Sequence, residues 1–333
     1  MRFVVANVLL LCVSGVFAVP VEVVNVLSGR AVDDALFSQL EFFSQFAAAA
    51  YCFDNVNGAG KPLSCKSGGG SCATIEAHKT NITWTFEAGY SNTRGYVAVD
   101  DTNKVVVGSF QGTKPGDNNI EDLMTDFDIK GVKTDLCGTA NTSDGCLAHQ
   151  GFYEAAKDAS GPVTVAIKEV LEKHPEYRVV MSGHSLGAAL AALVGTMMRN
   201  EGMVVDIYTY GQPHLGTQDL SLSIQNQAPK LGNNFRVTHF DDAVPKLPPH
   251  KFGGWDHYFP EFFIDKNKGT PDASSLRRVD ATLFTKDGNE GAGKSKFGAL
   301  GRLLGGVDAH KLYFGPISKC ESSPPGEERE KFF

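Results

Sequence analysis

Between Tyr177 and Leu190 the chain reads Tyr-Arg-Val-Val-Met-Ser-Gly-His-Ser-Leu-Gly-Ala-Ala-Leu, a passage that few folds can accept. An apolar, β-branched run enters Gly183-His184-Ser185-Leu186-Gly187, and a run of small residues with helical character leaves it. Strand, sharp turn and helix must therefore follow one another within a few residues, which is the context of a nucleophile elbow. The two glycines permit the tight turn and let the helix approach the strand, so Ser185 is expected to stand at the carboxyl edge of a sheet. A free serine hydroxyl is a weak nucleophile, so a histidine base and an orienting carboxylate must come from elsewhere in the chain. One donor for a developing oxyanion follows from the turn itself, the backbone N–H of Leu186.

The flanking pattern is consistent with this. From His149 onward we read a helix through Lys173, a strand at Tyr177 to Ser182, a helix from Ser185 to Arg199, and a strand at Val204 to Tyr210. A helix near Leu220 and a strand at Asn234 to Phe240 follow. Such alternation implies parallel strands with helical crossovers. Upstream, Asp33 and Asp34 mark the start of a helix through Ala50, with Leu36, Leu40, Phe43 and Ala47 at helical spacing. Thr83 to Ala88, Arg94 to Val99 and Lys104 to Phe110 read as antiparallel strands, the last two joined by the turn-prone Asp100-Asp101-Thr102-Asn103. The expectation is an α/β fold built as a single domain over residues 19–320. Lys266 to Gly306, rich in Gly and Lys, reads as a long connection, and residues 321–333 as a disordered tail.

In folds with this elbow the acid follows the serine and the base comes last. Phe235 to Pro245 ends a strand with two acids, Asp241 and Asp242, either of which could face the site. Val307-Asp308-Ala309-His310 places a histidine in a short loop near the C-terminus, which makes His310 the leading base.

The first residues concern delivery. Arg2 precedes a mostly apolar stretch from Phe3 to Phe17, too short for a membrane span, and Ala18 ends it at an acceptable cleavage site. Residues 1–18 are therefore read as a signal peptide and the product as secreted and extracellular, with no transmembrane segment. Of seven cysteines, Cys12 leaves with the signal and six remain, as an oxidising compartment favours. Cys65 with Cys72 and Cys137 with Cys146 are close in sequence within loop-rich segments, leaving Cys52 to join Cys320. Asn81 and Asn141 begin glycosylation acceptor triplets. Lys and Arg number 31 against 38 Asp and Glu, a net charge of −7, which excludes the electrostatic footprint of a nucleic-acid binder. No local His or Cys spacing has the form of a metal site, so neither a metal nor another cofactor is expected, and the chemistry should proceed without a metal.

With these residues in view, the sequence resembles the secreted fungal lipases of the class 3 family, a group that includes triacylglycerol lipases, mono- and diacylglycerol lipases and feruloyl esterases. The matching stretches are Ala47 to Cys52, Val107 to Thr113, the elbow, Asp206 to Gly211, Arg236 to Pro249 and Asp308 to His310. The resemblance implies an α/β-hydrolase fold, with helices on both faces of a mostly parallel sheet, antiparallel N-terminal strands and a lid over the active site. It also implies that Asp242, two residues before Val-Pro, is the acid, that His310 is the base and that Thr113 supplies the second oxyanion donor. Gln111 departs from the arginine usual before the glycine of that motif. Ile120, Leu123, Met124 and Phe127 fall at i, i+3, i+4 and i+7, an amphipathic stripe at the place where the family carries its lid. The implied activity is that of a monomeric serine esterase acting through an acyl-enzyme on lipid esters at a lipid–water interface. Gly183 to Ala188 reads as in partial-glyceride lipases and feruloyl esterases alike. The apolar residues at the lid position make acylglycerols the first expectation; feruloyl or other cell-wall esters are the alternative, since Thr113 in place of the commoner serine resembles the feruloyl esterases.

Overall fold

The computed structural model describes residues 30–66, 71–88, 93–113, 129–138, 145–266, 269–282, 284–292 and 308–320. The expected signal at 1–18, the expected lid residues Ile120, Leu123, Met124 and Phe127, Asn141 and the expected tail at 321–333 lie outside the described residues.

In chain order, β1 (Arg30–Ala31) leads into α1 (Asp34–Ala49), α2 (Phe53–Val56) and α3 (Ala73–Ala77). Then come β2 (Asn81–Ala88), β3 (Thr93–Asp100), β4 (Val105–Phe110), β5 (Gly131–Lys133) and β6 (Leu147–His149). The alternating part follows: α4 (Gln150–Lys173), β7 (Arg178–His184), α5 (Leu186–Asn200), β8 (Val205–Tyr210), β9 (Gly216–Thr217), α6 (Gln218–Gln227) and β10 (Asn234–His239). The short strands β11 (Trp255–Asp256), β12 (Glu261–Ile264) and β13 (Leu276–Val279) complete it.

Nine strands form one sheet in the order β1-β13-β12-β10-β8-β7-β4-β3-β2. Its centre, β4-β7-β8-β10-β12, is parallel. β2 and β3 pair antiparallel beside β4, as expected from their sequence. The opposite edge is antiparallel as well, through β12, β13 and β1. This α/β-hydrolase arrangement is the expected one, with helices on both faces.

Local chemistry accounts for the elements that carry the site. Asp33 caps α1, its carboxylate accepting the Leu36 N–H at 2.7 Å and so satisfying an otherwise free donor at the helix start. Along β4 the side chains alternate: Val105 and Val107 join Leu40, Phe43 and Phe46 of α1 in one core, while Val106 and Phe110 join Ala156, Val163 and Leu190 of α4 and α5 in the other. Each fully buried aliphatic or phenylalanine side chain contributes about 1.5–3 kcal/mol, so the central strands are held from both sides. The turn from α5 into β8 is tied by Arg199, 1% exposed, whose guanidinium donates to the carbonyls of Val205 and Asn233 and to Asn234 Oδ1.

Two parts differ from the sequence reading. A second, four-stranded sheet, β11-β9-β6-β5, had no sequence signal, because strands of two or three residues show no alternation. The stretch read as a connection from Lys266 contains β13, whose four residues pair with β12 and β1 to close the sheet edge. Among the described residues no helix is long and apolar enough to cross a membrane.

Six cysteines form three disulfides in the expected pairing: Cys52–Cys320, Cys65–Cys72 and Cys137–Cys146. The first spans 268 residues and joins the chain just after α1 to the segment following His310. A cross-link stabilises mainly by restricting the unfolded chain, more for longer loops. We expect the double substitution Cys52→Ser, Cys320→Ser to lower unfolding free energy by about 2–5 kcal/mol in denaturant titration. An unchanged midpoint would contradict this.

Candidate active site

The elbow between β7 and α5 is held in a conformation that only a crowded turn can enforce. Ser185 has φ 59° and ψ −129°, a region sparsely populated by residues with a side chain and a store of local strain. Its N–H donates to the Tyr210 carbonyl at 3.0 Å, which pins the turn to the end of β8. A Cβ on Gly183 would fall 2.1 Å from the Gly187 carbonyl oxygen, and one on Gly187 would fall 2.2 Å from that of Phe110. Both glycines are therefore required by close backbone approach, one within the turn and the other against the end of β4.

Asp242 and His310 come together at the same sheet edge. The loop after β10 delivers Asp242, fully buried, and the C-terminal segment delivers His310, also fully buried. His310 Nδ1–H donates to Asp242 Oδ2 at 2.8 Å. The Tyr313 hydroxyl donates to the same oxygen at 2.5 Å, and the Val244 N–H donates to Oδ1 at 2.9 Å. Of the two acids left open by the sequence, Asp242 thus holds the histidine. Gly211, at the end of β8, is the shared floor: a Cβ there would lie 2.9 Å from His310 Cε1 and 3.0 Å from Asp242 Oδ2. Since Tyr210 binds the Ser185 N–H, the last residue of β8 and the glycine after it position all three groups. Ser185 Oγ and His310 Nε2 are both buried without a protein partner. With Nδ1 carrying the proton, Nε2 presents a lone pair.

A second histidine supports the first. His184 Nε2–H donates to the His310 carbonyl at 2.8 Å, and its Nδ1 accepts from the Tyr51 hydroxyl at 2.7 Å. Burial holds the His184 imidazole well below its ordinary pKa, and the neighbouring His310 pushes in the same direction. It is a neutral strut beneath the elbow. Asn289 adds another, donating through Nδ2 to the carbonyls of His239 and Asp242 at 2.7 and 2.8 Å. Tyr51, Tyr313, Gly211 and Asn289 had no role in the sequence reading. Tyr313 could have been found, since it sits three residues after His310; Asn289 lies in a segment with no periodicity to single it out.

The expected oxyanion donors flank the elbow. Leu186 opens α5. Thr113 follows Gln111 and Gly112 beyond β4, and a Cβ on Gly112 would fall 2.6 Å from the His184 carbonyl oxygen, so this strand exit lies directly against the turn. Gln111, in place of the family's usual arginine, is buried and donates through Nε2 to the Ala50 carbonyl at 2.9 Å; it anchors the strand exit to the end of α1 without an ion pair. Asn81 is exposed at the start of β2, open to a glycan.

Comparison with known proteins agrees with this geometry. Residues 107–252 match the family described as Lipase (class 3). The secreted mono- and diacylglycerol lipase A of Penicillium cyclopium is 35% identical over 292 residues, covering 86% of this chain and 88% of that protein. The secreted mono- and diacylglycerol lipase 1 of Fusarium solani is 34% identical over 247 residues, 73% of this chain and 69% of that one. The crystal structure of a mono- and diacylglycerol lipase from Aspergillus oryzae superposes with a TM-score of 0.73 at 32% identity, covering 85% of this chain and 98% of that one. A relative this similar over nearly its whole length leaves one assignment: the chain belongs to the class 3 lipase family.

Proposed function

We propose that the protein is a secreted acylglycerol lipase that hydrolyses ester bonds through Ser185, His310 and Asp242. The observation that carries this reading is the His310–Asp242 pair at 2.8 Å, beside a strained elbow whose serine Oγ has no partner. His310 Nε2 removes the proton from Ser185 Oγ as the oxygen attacks the ester carbonyl. The N–H groups of Leu186 and Thr113 hold the tetrahedral oxyanion, and the alcohol departs with the proton from His310. Water then repeats the sequence on the acyl-enzyme and releases the acid. Asp242 fixes the tautomer and stabilises the imidazolium, while Tyr313 and the Val244 N–H keep its carboxylate from turning away.

Residues 19–320 act as one domain in this reading, and export is supported by the three disulfides and by relatives named as secreted. Mono- and diacylglycerols are the proposed substrates, in line with the relatives' names. The apolar spacing of Ile120, Leu123, Met124 and Phe127 supports contact with a lipid surface. At equal ester concentration, emulsified diolein should be hydrolysed faster than triolein and at least tenfold faster than methyl ferulate. Preference for methyl ferulate would overturn the lipid assignment while leaving the ester chemistry intact.

A further inference from the structure

Behind the loop that carries Asp242 lies a small cavity of about 10 Å³, room for roughly one water-sized occupant. It is lined by His214, Arg236, Asp256, His257, Glu261 and Glu290, among others. The two histidines have their tautomers fixed by backbone carbonyls. His214 Nδ1–H donates to the Pro248 carbonyl at 2.8 Å, and His257 Nε2–H donates to the Pro245 carbonyl at 2.7 Å. Each ring therefore presents a lone pair on its other nitrogen, and neither His214 Nε2 nor His257 Nδ1 has a hydrogen-bond partner. Glu290 Oε1 is also buried without one. The three groups face one another, their ligand atoms within 4.8 Å of one another.

We propose that His214, His257 and Glu290 bind one divalent transition-metal ion, with zinc the best fit to the donor set. Two imidazoles and a carboxylate, with each ring held through its second nitrogen by a backbone carbonyl, reproduce how proteins orient zinc ligands. The His214 Nε2 to Glu290 Oε1 separation is 3.4 Å, which matches the edge of a tetrahedron with bonds of about 2.1 Å. Charge agrees with geometry. One guanidinium, Arg236, lines the cavity against the carboxyl groups of Asp256, Glu261 and Glu290, and it is already paired with Glu261 at 3.5 Å, which leaves Glu290 available to an ion. Lys246, which donates to the Ala292 carbonyl, also acts on Glu290 through its charge, but burial outweighs it and raises the Glu290 carboxyl to about 7, so metal binding near neutral pH displaces a proton. Burial supports neutral rings, with the His214 pKa pushed down to about 3 and that of His257 also lowered well below its ordinary value. The ligands span 76 residues of sequence, so the local spacings that exclude a metal motif do not bear on them. The ion would sit apart from Ser185 and clasp the Pro245–Pro248 stretch to the segment of Asn289, both of which support the Asp242 loop.

The test uses the full chain, stripped with a chelator, loaded with Zn²⁺ or Co²⁺ alone and freed of excess metal by gel filtration. One retained equivalent per chain and a tetrahedral Co²⁺ absorption spectrum are expected. Glu290→Gln, which keeps the side-chain shape at a position that is 20% exposed, should weaken binding by more than the roughly 10–100-fold lost when only a ligand's supporting partner is removed, with unchanged circular dichroism. His257→Gln should do the same; if it fails to fold, Glu290→Gln decides alone. No retained metal in the unaltered protein, as when the cavity holds water only, overturns the proposal. So does equal retention by Glu290→Gln, which would place the metal on other histidines.

Discussion

Replacing Ser185 by alanine is expected to reduce hydrolysis of emulsified diolein by about 10⁴–10⁶-fold and to leave the melting temperature the same or higher. The two effects share a cause. Ser185 Oγ is buried and has no hydrogen-bond partner, and an unsatisfied buried polar group costs roughly 1–3 kcal/mol. Removing it relieves that cost, while the turn remains fixed by the Ser185 N–H bond to Tyr210, which alanine can also make. What is lost is the oxygen that forms the acyl-enzyme in the proposed mechanism. The residual rate should come from the oxyanion donors and substrate binding alone. A variant that keeps more than about one hundredth of the rate would show that the nucleophile lies elsewhere.

Asp242→Asn should lower kcat/KM by about 10⁴-fold with the fold retained. The carboxylate accepts from three donors, His310 Nδ1–H, the Tyr313 hydroxyl and the Val244 N–H. An amide of the same shape has one acceptor oxygen. Where the Val244 N–H retains that oxygen, the amide N–H₂ takes the place of Oδ2, meets both His310 Nδ1 and the Tyr313 hydroxyl, and forces the proton onto Nε2, the nitrogen that must accept from Ser185. Asp241→Asn is the matched control, and its rate should stay within about threefold of the unaltered protein, because only Asp242 holds the histidine. If the two substitutions cost the same, the assignment of the acid fails.

The sequence made the site legible to different depths. Ser185 could be read because its requirements are local: a strand, two glycines and a helix within fourteen residues of one another. His310 was legible from chain order, and the choice between Asp241 and Asp242 needed the family pattern, since both end the same strand. The parallel centre of the sheet followed from alternation of helix and strand. The small sheet β11-β9-β6-β5 and the far edge formed by β12 and β13 did not, because such short strands are defined by their partners. Asn289 and the His214–His257–Glu290 cluster were illegible for a related reason. Their meaning comes from side chains brought together across separate loops, and no window of sequence contains more than one part of it.

The Cys52–Cys320 bridge has a further consequence for a chain exposed to proteases. Ser185, Asp242 and His310 all lie inside the covalent ring it closes. A single cut anywhere in that ring linearises the circle without dividing the molecule. The severed ends stay at the high mutual concentration of one chain, so a nicked lipase can keep its sheet assembled, and the damage becomes a loss of mass only when the bridge is reduced.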